Sequence, residues 1–255
     1  IDFALQLAPN STQLKLEKVR LLIESALFED AKALLDDIRK ANTNNPNFWL
    51  VQALYDDNTN NRQQATTALT KALQLDADFH QAMLYLYELA LMGGDKQAFI
   101  DRAEATLQTS PDNLLTKNLL AQFYFVQQDF DKATALYKSL LDEDKTFNRA
   151  IVLNKLAIMA LHDNINDAHK YIEQAFEINS TNPDILDSLG WILVQKGQLE
   201  DGLGHLRKAF ARDSNNPEIR YHIGYALAKL NRNQEAKEEL KKAVAVERPF
   251  YNRSK

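Results

Sequence analysis

The chain of 255 residues contains no cysteine, which excludes disulfides, thiolate metal sites and a cysteine nucleophile while fitting either a reducing or an oxidising compartment. Glycine and proline are scarce, at seven and six residues, which favours long helices joined by short turns over a β-rich or linker-rich chain. No apolar run approaches the ~18 residues of a membrane-spanning helix, and the start shows no basic, then apolar, then small-residue leader. Positive charge is not in excess either. The formal net charge is −5, so the basic footprint that nucleic acid or an anionic lipid surface would need is missing.

What the chain does contain is a ruler. Ala31, Ala65, Phe99, Ala133, Ala168, Gly202 and Ala236 follow one another at steps of 34, 34, 34, 35, 34 and 34 residues. A fixed period of that length marks an array of helix-turn-helix units, each of which must stack on its neighbours to bury its apolar face. Taking this residue as position 20 gives units at 12–45, 46–79, 80–113, 114–147, 148–182, 183–216 and 217–250, followed by a tail at 251–255. Large residues at position 24, such as Leu35, Leu69 and Leu206, stand between small ones at 20 and 27 and form the inner stripe of the second helix. Asn44-Asn45-Pro46 and Asn215-Asn216-Pro217 combine a cap with a proline suited to the first helical turn. Residues 1–11 read as the end of a truncated upstream repeat, because Ile1 to Leu7 matches the closing half of a second helix. That reading predicts further repeats, and any export signal or lipid anchor, ahead of Ile1.

Two units depart from the pattern. Phe99 and Thr106 take small-residue positions in 80–113, where Gly93-Gly94 loosens the turn. In 148–182 the turn around Asp163-Asn164 is one residue short after a long linker from Asp142 to Asn148, which predicts a local change of twist.

The residues from Pro183 to Asn216 resemble the tetratricopeptide repeat most closely: Leu186, Leu189-Gly190, Gly197, Leu199, Leu206 and Ala209 stand at its consensus positions, with Gly202 in place of the usual alanine. The resemblance implies an all-α, right-handed superhelical solenoid of about seven such units that acts without catalysis as a protein-interaction scaffold. It also implies a concave groove lined by first-helix positions 2, 5, 6, 9, 12 and 13. On this chain those positions include Tyr85, Asn118, Gln122, Phe125, Asn154, Ile158, Asp187, Trp191, Tyr221, His222 and Tyr225. Position 5 carries no lysine, so the family's carboxylate clamp is absent, and Asn118 with Asn154 forms only two rungs of its asparagine ladder. The stretch Asn182 to Leu193 followed by Pro217 to Ala228 is similar to the end of the long lipoproteins of PEP-CTERM/exosortase exopolysaccharide systems (PrsT type). That finer resemblance implies a periplasmic or outer-membrane-anchored scaffold of a bacterial envelope assembly. Without it, the cytoplasm is the expected compartment.

Trp191, Tyr221 and Tyr225 fall on adjacent first helices. They read either as a rigid aromatic ledge for a partner or as packing of one unit against the next. The partner classes are a peptide or helix held in the groove and, as the alternative, a polysaccharide stacked on the ledge; a regulatory repeat region of a larger protein is a third reading. No cofactor is implied. His162 and His169 lie seven apart across a turn, and His80, His205 and His222 stand in different units without a carboxylate at ligand spacing. Asp36-Asp37, Asp56-Asp57 and Asp142-Glu143-Asp144 sit at helix ends as solvated charges, and no phosphate loop or nucleophile motif is present.

Overall fold

A computed structural model of the chain describes residues 1–142 and 148–245. The long linker after Asp142, the ends of the units expected at 114–147 and 217–250, and the tail at 251–255 therefore fall wholly or partly outside the described residues. Caps decide where the helices begin. Asn45, Asn182 and Asn216 accept hydrogen bonds from the backbone N–H groups of Asn47, Asp184 and Glu218. The residue between is in each case a proline in the first helical turn, where its missing N–H has no partner to lose. Ser11, Asp95 and Asn113 cap three further helices in the same manner.

All elements among the described residues are helical. A short α1 (Asp2–Leu7) precedes α2 (Thr12–Glu24), α3 (Phe28–Asn42), α4 (Pro46–Asn58), α5 (Arg62–Leu75), α6 (His80–Leu91), α7 (Lys96–Thr109), α8 (Leu114–Val126) and α9 (Phe130–Asp142). These are followed by α10 (Arg149–Ala160), α11 (Ile165–Ile178), α12 (Pro183–Gln195), α13 (Leu199–Arg212), α14 (Pro217–Lys229) and α15 (Asn233–Val244). From α2 onward they form seven consecutive pairs, the helical-repeat solenoid that the period predicts. The chain divides into two units, Ile1–Leu136 and Tyr137–Lys255.

Within five of these pairs the turn closes with one residue in the left-handed region: Ala26, Asn60, Gly93, Gly197 and Asn231, with φ between 57° and 89°. Gln128, at φ 62°, does the same between α8 and α9. The next N–H then reaches back to a carbonyl five residues earlier, as in Leu27 to Leu22, Asn61 to Asp56 and Gln198 to Leu193, which satisfies orphan carbonyls at the helix end. The turn between α10 and α11 has no such residue; it is the turn that is one residue short, and Asn164 N–H closes it on Ala160 O at 2.7 Å.

In the first unit, Leu16, Val19, Ile23, Ala31, Leu35, Ile38, Phe48 and Val51 form one buried cluster across α2, α3 and α4. Further along, Phe99 fills the place that alanine holds elsewhere. Its ring lies 4.9 Å from that of Phe123 and 5.5 Å from that of Tyr87, so an aromatic trio spanning α6, α7 and α8 replaces a close helix crossing. The outermost helix, α1, buries no residue, and Phe3 and Leu7 are more than 70% exposed.

The second unit is packed around small residues. Gly190 on α12 faces Gly202 on α13 so closely that a Cβ built on either would stand 2.7–2.8 Å from the other's carbonyl oxygen. Glycine at 202 thus matches glycine at 190: the backbones touch where other units place side chains. Gly224 meets Leu240 in the next pair, with 2.7 Å left for a Cβ. Leu186, Leu203, Leu206, Ala209, Ile219, Ile223 and Ala226 close the core around these contacts.

Candidate binding surface

First helices carry the candidate residues because their side chains at i, i+3, i+4 and i+7 share one face. In the first unit, Tyr85 is half-buried and donates its hydroxyl to Asp57 Oδ2 at 2.9 Å. Asp57 also pairs with Arg62 at 3.5 Å. Burial, reinforced by the Asp57 contact, raises the Tyr85 hydroxyl well above its ordinary range. Gln122 accepts from the Tyr87 hydroxyl at 3.4 Å. Phe125 packs on Phe130 with ring centroids 5.9 Å apart, and Asn118 is half-buried.

In the second unit, α12 and α14 bring five of the candidate residues together. Trp191 lies parallel to the His222 imidazole, centroids 4.2 Å apart and planes 21° from each other. It meets Tyr225 at 5.0 Å and 68°, and Tyr221 at 6.3 Å. Beneath the ring, His222 Nδ1 donates to both Asp187 oxygens, at 2.9 and 3.0 Å. His222 is only 7% exposed, whereas Tyr221 is 41% exposed. Burial works against a charged His222, but the Asp187 carboxylate and its hydrogen bond, with Glu218 behind them, prevail and raise the imidazole above its usual range. The outcome is a tryptophan stacked on an imidazole that a carboxylate holds in place.

The structure departs from expectation at three residues. Asp56 is no solvated charge: it is 5% exposed and accepts from Gln52 Nε2 at 3.0 Å. His222 has a carboxylate partner: Asp187 is remote by spacing within one helix, yet positions 5 and 6 of successive first helices adjoin. Asn154 is 4% exposed, and its Oδ1 is buried without a hydrogen-bond partner, so it presents no open amide to a bound chain. Ile158, one helical turn beyond it on α10, is half-buried.

Three charged residues of this face were passed over in the sequence. Asp184 and Glu218 both occupy position 2, which the register already assigns to the groove. Lys155 at position 6 of α10 feels both of them; burial pulls its ammonium below the usual lysine range, and the two carboxylates oppose that shift.

The model described as the tetratricopeptide repeat matches residues 2–55 and 193–249. Over those two stretches, somewhat less than half of its residues, the chain is similar to the tetratricopeptide repeat. Such repeats serve in general as protein-interaction scaffolds without catalysis of their own. Among solved structures, a tetratricopeptide repeat protein from Parabacteroides merdae is similar at a TM-score of 0.66 and 14% identity, over 93% of each chain. PilF of Pseudomonas aeruginosa matches at 0.61 and 16%, over 79% of this chain and 91% of its own. A chain of the Cut9–Hcn1 hetero-tetramer of the APC/C matches at 0.62 and 14% over 95% of this chain. This chain spans about half the length of that one, 48%. No curated protein matches the chain in sequence. At these identities the likeness speaks for the repeat fold alone. No helix among the described residues is long and apolar enough to cross a membrane.

Proposed function

We propose that this repeat array is an interaction scaffold that holds an extended segment of a protein partner along its first-helix face. The observation that carries the reading is the aromatic surface of Trp191, Tyr221 and Tyr225 on adjacent helices, pinned from below by the His222–Asp187 pair. Rigid aromatic area with partial exposure anchors binding at low cost in side-chain entropy. Cut9–Hcn1, a relative in fold, is by name a hetero-tetramer, in keeping with a protein partner. A flat sugar platform is less well served, since one face of Trp191 is already covered by His222.

Random decapeptides displayed on phage and selected on the 255-residue chain test the reading. Selected peptides should lose at least tenfold in affinity for Tyr221→Ala, a variant at an exposed position whose melting temperature should stay within about 2 °C of the parent. Peptides that bind Tyr221→Ala and Trp191→Phe as tightly as the parent would refute groove binding.

The envelope setting is part of the same proposal. It is supported by the Asn182 to Leu193 and Pro217 to Ala228 stretches and their similarity to exopolysaccharide-system lipoproteins. Recovery of the native protein from the envelope fraction of its cells is the expected result, and recovery from the cytoplasm alone would remove it.

A further inference from the structure

The face shared by α12 and α14 has a charge pattern that aromatic packing does not require. On α12, Asp184, Asp187 and Trp191 stand at i, i+3 and i+7; on α14, Glu218, Tyr221 and Tyr225 repeat that spacing. Each helix therefore leads from a carboxylate in its first turn to an aromatic ring ~10 Å along its axis, at ~1.5 Å per residue. Tyr221, the most exposed of the rings, sits one turn from Glu218 and 6.3 Å from Trp191.

Carboxylates gather around the first turns of α12 and α14. Asp184, Asp187, Asp213 and Glu218 lie close enough to act on one another or on the two cations among them, Lys155 and His222. One of those cations, His222, is already committed to Asp187. Desolvation pushes the Asp184 carboxyl above its ordinary range; Lys155 pulls it back, and the charges of Asp187 and Asp213 add to the rise. The rings of this face also attract positive charge within the chain itself: the Lys229 ammonium stands 5.3 Å from the Tyr225 centroid.

Resting on the groove reading above, we infer that this face recognises an arginine of the partner segment, its guanidinium laid over Tyr221 and its N–H groups turned to Asp184 and Glu218. Arginine fits better than lysine because a planar guanidinium stacks on a ring while its edge donates in a fork to carboxylates.

The test uses the decapeptides selected on the 255-residue chain, resynthesised with citrulline, the neutral isostere, in place of each arginine. Trp49→Phe leaves Trp191 as the only tryptophan, so its fluorescence reports binding at this face. Selected peptides should share an arginine, lose about tenfold in affinity as citrulline peptides, and lose a similar factor on Asp184→Asn or Glu218→Gln. A lysine version should fall between arginine and citrulline. Peptides that depend on Tyr221 but contain no arginine, or that bind equally well as citrulline versions, would overturn the arginine inference and leave the groove reading standing. Peptides indifferent to Tyr221→Ala would overturn both.

Discussion

Two glycines of α13, two residues apart, should respond to alanine with opposite signs. Gly204 is exposed and a Cβ there meets nothing within 4 Å, so Gly204→Ala gains only helix propensity, about 1 kcal/mol. Gly202→Ala gains the same about 1 kcal/mol but places its Cβ 2.7 Å from Gly190 O, 2.7 Å from Val194 Cγ2 and 3.0 Å from Val194 N. Two of those three atoms belong to the α12 backbone and cannot turn aside. The helices must separate, at the upper end of the ~1–3 kcal/mol that overpacking costs, for a net loss of about 2 kcal/mol. The two variants thus differ by about 3 kcal/mol. At ~2–4 °C per kcal/mol for a chain of this size, Gly204→Ala should melt about 3 °C above the parent and Gly202→Ala about 6 °C below it. Thermal melts followed by far-ultraviolet circular dichroism give the order, and amide exchange should show the loss concentrated in α12 and α13. A Gly202→Ala protein as stable as Gly204→Ala would refute the claim that backbone contact selects glycine there.

Ala26 holds a left-handed φ of 57°, so Ala26→Gly should stabilise by about 1 kcal/mol, measured by urea denaturation; Asn60→Gly at the matching turn should gain less, since asparagine tolerates that region. Phe99→Ala restores the residue found at this position in most of the other units, yet should cost about 3–5 kcal/mol by opening a cavity between Tyr87 and Phe123; a neutral result would mean that α6 and α7 close up freely. His222 is raised by Asp187 and Glu218, so its contribution is fully present below the unfolded value of ~6.5 and is lost as pH rises through the folded value. Asp187→Asn should reverse this, leaving burial to carry the imidazole below its ordinary range, as an NMR titration of the ring protons would reveal; an unmoved titration would dissociate His222 from Asp187.

The period was readable because a helix crossing admits only a small side chain, and that demand recurs at every unit. Trp191, Tyr221 and Tyr225 were readable as neighbours on the same ground, since equal or near-equal positions on successive first helices adjoin. The Asp187–His222 pair is not legible from spacing within one helix, because the contact joins residues thirty-five apart on two helices. Gly202 stood out as a departure, but its reason lies in Gly190, and the two are opposed only once α12 and α13 are packed. The burial of Asn154 was not legible: it shares position 5 with the half-buried Asp187, and only the packing around α10 separates the two cases.

The aromatic trio also bears on how the array can change its length. Where units meet through alanine or glycine, the faces they present are nearly interchangeable, so duplicating or excising one leaves complementary surfaces. Tyr87, Phe99 and Phe123 belong to α6, α7 and α8, which ties the 80–113 unit to the helix that follows it as a matched set. Excising that unit alone would strand Phe123 against a small residue. The joint at α7 and α8 is therefore a point at which the array has given up modular exchange, and insertions or losses of whole repeats are expected to fall elsewhere along the chain.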